Sequence, residues 1–353
     1  MKVAITADVH LTTRNEHPER FRALIALLRD AISQGITHLI IAGDLFDASR
    51  QNYSEFEALC YRLKDSNMRF TIIPGNHDPG IDNKTIVGDN IHIVTAPELQ
   101  EIAGQSFLFI PYRDHQTMGD VLAEFADRLA PDKWVLIGHG DWSDGWRRPN
   151  PTEPGVYMPL TRRDIATYRP ERVFLGHIHR YLDQSPVHYV GSPCGLDITE
   201  TGRRRYLIYD IQSNRVESRL IETDVIFFSE RFVILPMPDE LSYLGQQIAL
   251  RKQAWNLSPE EQPKARIRIQ VQGYCADRGA LRNTLQEAFS GFHFHKEEEP
   301  DIGDVSSSTE LERDYLAQTT LAKLEALNWP FGTDEPEQDE IVLAALHLLY
   351  GGS

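Results

Sequence analysis

The sequence predicts an α/β chain of the α+β kind: a two-sheet sandwich flanked by helices, followed by a small α+β module and a helical tail. Three observations predict it. The opening of the chain alternates apolar β-rich runs with amphipathic helical stretches. The β-rich runs that come later follow one another, several without a long helix between them. After residue 225 the alternation restarts on a smaller scale. With 353 residues and 41% hydrophobic content, the chain can carry a core-bearing domain of roughly 200 residues plus smaller attachments.

Lys2 to Ala7 reads as the first strand and ends in Asp8-Val9-His10. Pro18 to Gln34 places Phe21, Leu24, Ile25, Leu28 and Ile32 at helical spacing, and Gly35 closes that helix. Thr37 to Ala42 is a fully apolar strand that ends in Gly43-Asp44-Leu45-Phe46-Asp47, and a helix follows from Ser54 with Glu57 completing a capping box. A third strand, Met68 to Ile73, is stopped by Pro74-Gly75 and delivers Asn76-His77-Asp78. Continuous apolar strands in this order imply a buried, largely parallel sheet with polar residues gathered at the strands' C-terminal edge. Further strands are expected at Ile91 to Val94, Ser106 to Ile110, Trp134 to Ile137, Arg172 to Leu175, His188 to Val190 and Tyr206 to Ile211.

The polar blocks carry the chemistry. An Asn carbonyl can ligate a divalent cation, a His can ligate it or transfer a proton, and an Asp can orient a His. Taken alone, Gly75-Asn76-His77-Asp78 is also what a plain turn favours for conformational reasons. The device recurs, however, at Gly138-His139-Gly140 and at Gly176-His177-Ile178-His179, making five strand-end blocks in all. Alternation along an extended segment puts residues 177 and 179 on one side. Carboxylates, imidazoles and an amide without thiolates suit a pair of Mn2+, Fe2+ or Zn2+ ions better than a structural zinc.

The series Asp8-x-His10, Gly43-Asp44-x-x-Asp47, Gly75-Asn76-His77-Asp78, Gly138-His139 and Gly176-His177-x-His179 resembles the calcineurin-like metallophosphoesterase signature across roughly the first 200 residues. That resemblance implies two divalent metal ions, Mn2+ foremost with Mg2+, Fe2+ or Zn2+ as alternatives. It places Asp8, His10, Asp44 and His179 on one ion and Asp44, Asn76, His139 and His177 on the other, so that Asp44 bridges. His77 then faces the substrate as the catalytic proton donor, with Asp47 and Asp78 as its supporting catalytic residues. Gly43-Asp44-Leu45-Phe46-Asp47, His177-Ile178-His179-Arg180 and Gly191-Ser192-Pro193 also resemble the SbcD-type DNA double-strand-break repair nuclease subunit. Ala7-Asp8-Val9-His10-Leu11-Thr12 departs from that family's usual Ser-Asp-x-His-Leu-Gly, and Cys194-Gly195-Leu196-Asp197 is a loose version of its segment, with every ligand intact. The finer resemblance implies DNA as substrate, exonuclease and endonuclease activity in DNA end processing, repair and recombination, an SbcC-type coiled-coil ATPase as partner, and a homodimer within that complex. A phosphodiesterase acting on small or nucleotide substrates is the alternative.

The implied domains are 1–225 for the nuclease, 226–300 for an α+β capping domain, and 301–353 for a linker and helical partner-binding tail. Within the second, Glu230 to Pro236, Ala265 to Gln272 and Phe292 to Phe294 read as strands, and Asp239 to Trp255 and Asp277 to Phe289 as helices. Glu297-Glu298-Glu299-Pro300 and Ser306-Ser307-Ser308 read as solvated linker. Beyond them, Leu311, Tyr315, Leu316 and Leu324, then Ile341, Leu343, Leu346, Leu348 and Leu349, form two short amphipathic helices that must dock either on the ATPase or on their own chain.

A net charge of −16 argues against a free-standing nucleic-acid binder. Arg147, Arg148, Arg162, Arg163, Arg180, Arg203, Arg204 and Arg205 nevertheless cluster near the histidine blocks, as a backbone-tracking groove or as ordinary solvated surface. Cys60, Cys194 and Cys275 are too few and too far apart for a disulfide framework and read as packing residues. No apolar run reaches membrane-spanning length and no signal peptide is evident, so no membrane and a cytoplasmic location are expected.

Overall fold

The structure, a computed structural model, describes residues 1–350 apart from 14, 49–51, 144–154, 236, 238, 308–310 and 327–337. The chain divides into two compact units, Met1–Leu196 with Arg203–Asp224, and Asp197–Gly202 with Val225–Ser353. None of the helices, among the described residues, is long and apolar enough to cross a membrane.

The first unit begins with β1 (Lys2–Thr6), α1 (Pro18–Ser33), β2 (His38–Ala42), α2 (Tyr53–Arg62), β3 (Arg69–Ile73), β4 (Ile91–Ile93), β5 (Glu98–Ile102) and β6 (Gln105–Ile110). It continues with α3 (Met118–Phe125), β7 (Trp134–His139), β8 (Trp142–Ser143), β9 (Leu160–Thr161), α4 (Arg162–Tyr168), β10 (Arg172–Gly176), β11 (Leu182–Gln184), β12 (Val187–Tyr189), β13 (Arg205–Asp210) and β14 (Arg215–Leu220). Two six-stranded sheets result, ordered β14-β13-β1-β2-β3-β4 and β11-β12-β10-β7-β6-β5. Strands β1 to β4 run parallel to one another, as do β6, β7, β10 and β12.

Side-chain alternation makes this a layered sandwich. Ile5, Ile40, Ala42 and Ile73 point from the first sheet into a shared core with Phe107, Phe109, Val135, Ile137 and Phe174 of the second. The alternate residues Ala4, Leu39, Ile41 and Phe70 pack outward on Phe21 and Leu24 of α1 and Phe56 of α2. Leu108, Leu136 and Val173 pack outward on Val121 and Leu122 of α3. Register pairs such as Ala42 with Ile73 and Gly176 with His139 keep the C-terminal ends of the central strands level. That edge is where the polar blocks emerge.

Some local expectations are overturned. The capping box at Ser54 and Glu57 does not form: Asn52 is the N-cap of α2, without a side-chain cap bond, and Glu57 Oε1 accepts the Val87 N–H at 2.7 Å instead. The edge strands β5, β11 and β14 are mostly exposed or half-buried, so they lack the apolar pattern that would announce them. Cys60, Cys194 and Cys275 are all buried, and none of them joins a disulfide among the described residues.

The second unit contains β15 (Ile226–Ile234), α5 (Glu240–Trp255), β16 (Ala265–Cys275), α6 (Arg278–Ala288), β17 (His293–Phe294), β18 (Val305–Ser307), α7 (Leu311–Ala326) and α8 (Gln338–Tyr350). Its sheet is parallel, with β16 central between β15 on one side and β17 and β18 on the other. Ile267, Ile269 and Val271 face Leu244 and Ile248 of α5 and Leu281 and Leu285 of α6 in one core. Ser306 and Ser307, expected to be linker, instead pair with Tyr274 and Cys275, because the flanking Ile302 and Val305 are buried and pull the segment onto the sheet. Ser308 and the Asp334-Glu335-Pro336 break lie outside the described residues.

The tail docks on its own unit. Leu321, Val342 and Leu346 are buried with Leu235 and Tyr274 at the end of the β15–β16 ladder, while Tyr315, Leu316 and Leu348 remain exposed. Leu346 is only 1% exposed, so Leu346→Ala should destabilise this unit by about 2–4 kcal/mol. Thermal unfolding would show it, and an unchanged melting temperature would mean that the tail is not docked in solution.

Candidate metal centre

Five segments converge at the C-terminal edge of the two parallel ladders. β1 ends into Asp8 and His10, β2 into Asp44, β3 into Asn76 and His77, β7 at His139, and β10 into His177 and His179. Three groups bring their ligand atoms within 4.8 Å of one another: Asp8, His10 and His179; His10, Asp44 and His77; and Asp8, Asp44 and His139. Asn76 Oδ1 joins them, 2.8 Å from His139 Nε2 and 3.1 Å from His177 Nδ1. Asp44 Oδ2 lies 3.2 Å from His139 Nε2 and 3.7 Å from His10 Nε2, so a single carboxylate reaches both histidine clusters.

The backbone is bent to achieve this. Asp8, His10, Asp44 and His177 all adopt positive φ, of 52°, 48°, 49° and 90°. Such conformations cost non-glycine residues roughly 1 kcal/mol or more each, and they persist where the surroundings over-determine them. The neighbouring strand ends do so: Asp8 N–H donates to Gly43 O at 3.1 Å, His10 N–H to Asp44 O at 3.1 Å, and His177 N–H to Asp8 Oδ1 at 2.8 Å. Gly43 and Gly75 are sterically required, since a Cβ on the first would collide with the His139 ring and one on the second with the Asp44 carboxylate.

His139 Nδ1 donates to Ala42 O at 2.9 Å, which turns Nε2 toward Asp44 and Asn76. His77 N–H donates to Asp44 Oδ1 at 2.8 Å, and its ring stands edge-on to His10 at 4.7 Å. Both oxygens of Asp78 accept backbone N–H groups, from Gly75 at 2.8 Å and Phe46 at 3.0 Å. Asp78, expected among the catalytic residues, is therefore a fully buried brace between two loops. Asp47, expected beside it, is an ion-pair partner of Arg20 at 3.2 Å.

The arginine cluster also divides. Arg162, Arg163 and Arg180 are exposed, whereas Arg204 is buried and donates to His179 O at 3.0 Å, and Arg205 lies over the Tyr181 ring. Arg147 and Arg148 lie outside the described residues. Sequence reasoning missed Asp141, whose Oδ1 is 3.8 Å from His177 Nε2, and Tyr157, whose ring packs on His177 at 4.6 Å. Asp141 stands two residues beyond His139 and was findable on that ground; nothing in the sequence marks Tyr157.

The donors fit a pair of divalent cations. Among the described residues, Asp8 Oδ2 and Asp44 Oδ2 are buried without a hydrogen-bond partner, and oxygen and imidazole donors converge on them without a thiolate. Residues 1–181 match the calcineurin-like phosphoesterase family. The chain belongs to that family. It is a metallophosphoesterase, a hydrolase whose family uses a dinuclear divalent metal centre, and the clustered donors here are suited to hold one. Among curated proteins it is similar to the uncharacterized metallophosphoesterase YhaO of Bacillus subtilis, at 21% identity over 94% of this chain and 78% of that protein. It is also similar to exonuclease subunit 1 of Enterobacteria phage T4, at 23% identity over 62% of this chain and 67% of that one. The DNA double-strand break repair protein Mre11 of Methanosarcina mazei matches at 33% identity over 22% of this chain and 14% of its own length.

Electrostatics at the donors yields a prediction for this metallophosphoesterase when it is stripped of divalent ions. Burial opposes charge on His139, but the adjacent Asp44 wins and raises its pKa to about 10. Burial likewise opposes charge on Asp44, and His139, His10 and His77 outweigh it and hold Asp44 low. A raised folded pKa stabilises below the unfolded value of about 6.5 and is lost as the pH climbs toward the folded one. Asp78, pushed up to about 7 by burial and by Asp44, acts in the same direction between about pH 4 and 7. His10, lowered to about 3 by burial, acts oppositely below its unfolded value, so the net decline should be clearest above about pH 6.5. Cation binding requires neutral imidazole and ionised carboxylate, so the melting-temperature gap between Mn2+ and chelator should widen from about pH 6.5 to 8.5. A constant gap would contradict this donor set.

Proposed function

We propose that this metallophosphoesterase is a DNA nuclease that hydrolyses phosphodiester bonds during end processing and repair, with Mn2+ as its working ion. The reading is carried by similarity to two proteins named for DNA processing, the phage exonuclease subunit and the archaeal break-repair protein, in a chain whose carboxylate and imidazole donors cluster. Asp8, His10, Asp44 and His179 would hold one cation, and Asp44, Asn76, His139 and His177 the other. When bound, such a pair polarises the scissile phosphate and makes a nucleophilic water acidic enough to ionise near neutral pH. The protein's own part is positioning and proton transfer. A ring nitrogen of His77, placed beside His10 and tethered through its N–H to Asp44, donates a proton to the departing sugar oxygen as its bond to phosphorus breaks. The exposed Arg162, Arg163 and Arg180 would follow the DNA backbone, partly offsetting the net charge of −16.

The phage relative is named as a subunit, and the outer side of α7 and α8 exposes Tyr315, Leu316 and Leu348. Both support assembly of a homodimer with an SbcC-type coiled-coil ATPase. Digestion of end-labelled duplex DNA with Mn2+, alongside bis(p-nitrophenyl) phosphate, tests the substrate. Chelator-sensitive shortening of the DNA is expected. Cleavage of the small ester alone would favour a phosphodiesterase for small or nucleotide substrates, a reading kept open because the relative that spans most of the chain is itself uncharacterized.

A further inference from the structure

Two buried arginines bear on the same pair of histidines. Arg20, on the first turn of α1, is 7% exposed, and its Nη1 donates to the main-chain carbonyl of His10 at 2.8 Å. Arg204, just before β13, is 6% exposed, and its Nη1 donates to the main-chain carbonyl of His179 at 3.0 Å. His10 and His179 face each other across the Asp8 cluster, with Nε2 to Nε2 at 3.2 Å. We propose that Arg20 and Arg204 are a matched pair of positioning residues that set the separation of these two imidazoles, and hence the affinity of the cation site built on Asp8, His10 and His179.

The physical case starts from cost. Burying a guanidinium is unfavourable unless its donors are used, and a hydrophobic residue of similar volume fills space more cheaply. Arg20 is held there by the Asp47 carboxylate at 3.2 Å, and its Nε has no hydrogen-bond partner among the described residues. What Arg20 supplies that an apolar residue cannot is a charged donor to a carbonyl whose own residue sits at φ 48°. The His179 carbonyl is fixed from a second side as well, by the Ser192 N–H at 3.1 Å. These contacts make Asp47 an indirect participant: its carboxylate holds the arginine that holds His10. The other histidine pair is held from elsewhere, His139 by Ala42 O and His177 by Asn76 Oδ1. The effect should therefore be confined to one of the two cation sites.

The inference rests on the two-cation reading, which the wild-type protein tests separately. Calorimetric titration of chelator-treated wild type should show two Mn2+ per chain; a single site or none would defeat that reading rather than the arginine assignment. Arg20→Met and Arg204→Met should each weaken one Mn2+ site by about tenfold to a hundredfold, as for outer partners of metal ligands, and leave the other within about twofold. Arg20→Lys and Arg204→Lys keep the stem and the charge, and should lose roughly three- to tenfold at the same site, because a point charge replaces the rigid fork. Equal weakening of both sites would mean a merely structural role and overturn the proposal. So would wild-type affinities in folded Met variants, or in the Lys variants if the Met variants do not fold.

Discussion

Asp44→Asn should abolish both cation binding and turnover while leaving the protein folded. Asp44 lies just beyond β2, with Oδ1 accepting the His77 N–H and Oδ2 between His139 and His10. The amide preserves shape and one acceptor but removes the charge and aims a donor at the imidazoles. Mn2+ affinity should fall by more than about 100-fold, beyond the range typical of partners that touch a ligand only indirectly. Phosphodiesterase activity should drop by roughly 10^3-fold or more, because the group that pre-organises charge at the centre is gone. The apolar core between the sheets does not involve Asp44, so circular dichroism in chelator should match wild type. The variant should also show a shallower decline of metal-free stability above about pH 6.5, since the carboxylate that raises His139 most would be gone. Wild-type Mn2+ affinity in Asp44→Asn would refute the bridging role.

His77→Ala is expected to separate chemistry from binding. The His77 side chain is half-buried at the open side of the cluster, and its tether to Asp44 runs through the backbone N–H, which alanine retains. Mn2+ titration should therefore stay within a few-fold of wild type, while kcat on DNA falls by about 10^2 to 10^4, the usual contribution of a positioned general acid. An ester with a good leaving group, such as bis(p-nitrophenyl) phosphate, should suffer much less, because its departing oxygen needs no proton. Equal losses on both substrates, or loss of the metal, would remove His77 from the proton-donor role.

The clustering of the donors could be read from the sequence because the polar blocks follow short apolar runs, and the same few residue types recur at those ends. Strands buried on both faces of a parallel sheet leave little room for charged side chains in their middles, so Asp8, Asp44, Asn76, His139 and His177 gather at one edge. Residues 177 and 179 were expected on one side of an extended segment, but His177 turns at φ 90° and meets Asn76 while His179 meets His10. The core of the second α+β module was equally plain, from the period-2 pattern of Ile267, Ile269 and Val271.

What the sequence by itself determined, then, was the two-sheet α/β architecture, the clustering of the donors and the metallophosphoesterase family. Only the tertiary structure decided which charged residues serve that cluster from behind. Asp78 looks like a catalytic partner beside His77 and is a brace for Gly75 and Phe46; Arg204 looks like one of a surface run and is buried against His179. It also decided that Ser306-Ser307 forms a strand and that Leu346 finds a place on its own sheet. The reason is the range of the interactions. Strand patterns and motif spacing are local and leave a periodic trace, whereas a guanidinium meeting a carbonyl 25 residues away, or a carboxylate capping an N–H from another loop 32 residues away, depends on how separate segments pack and leaves no period to read.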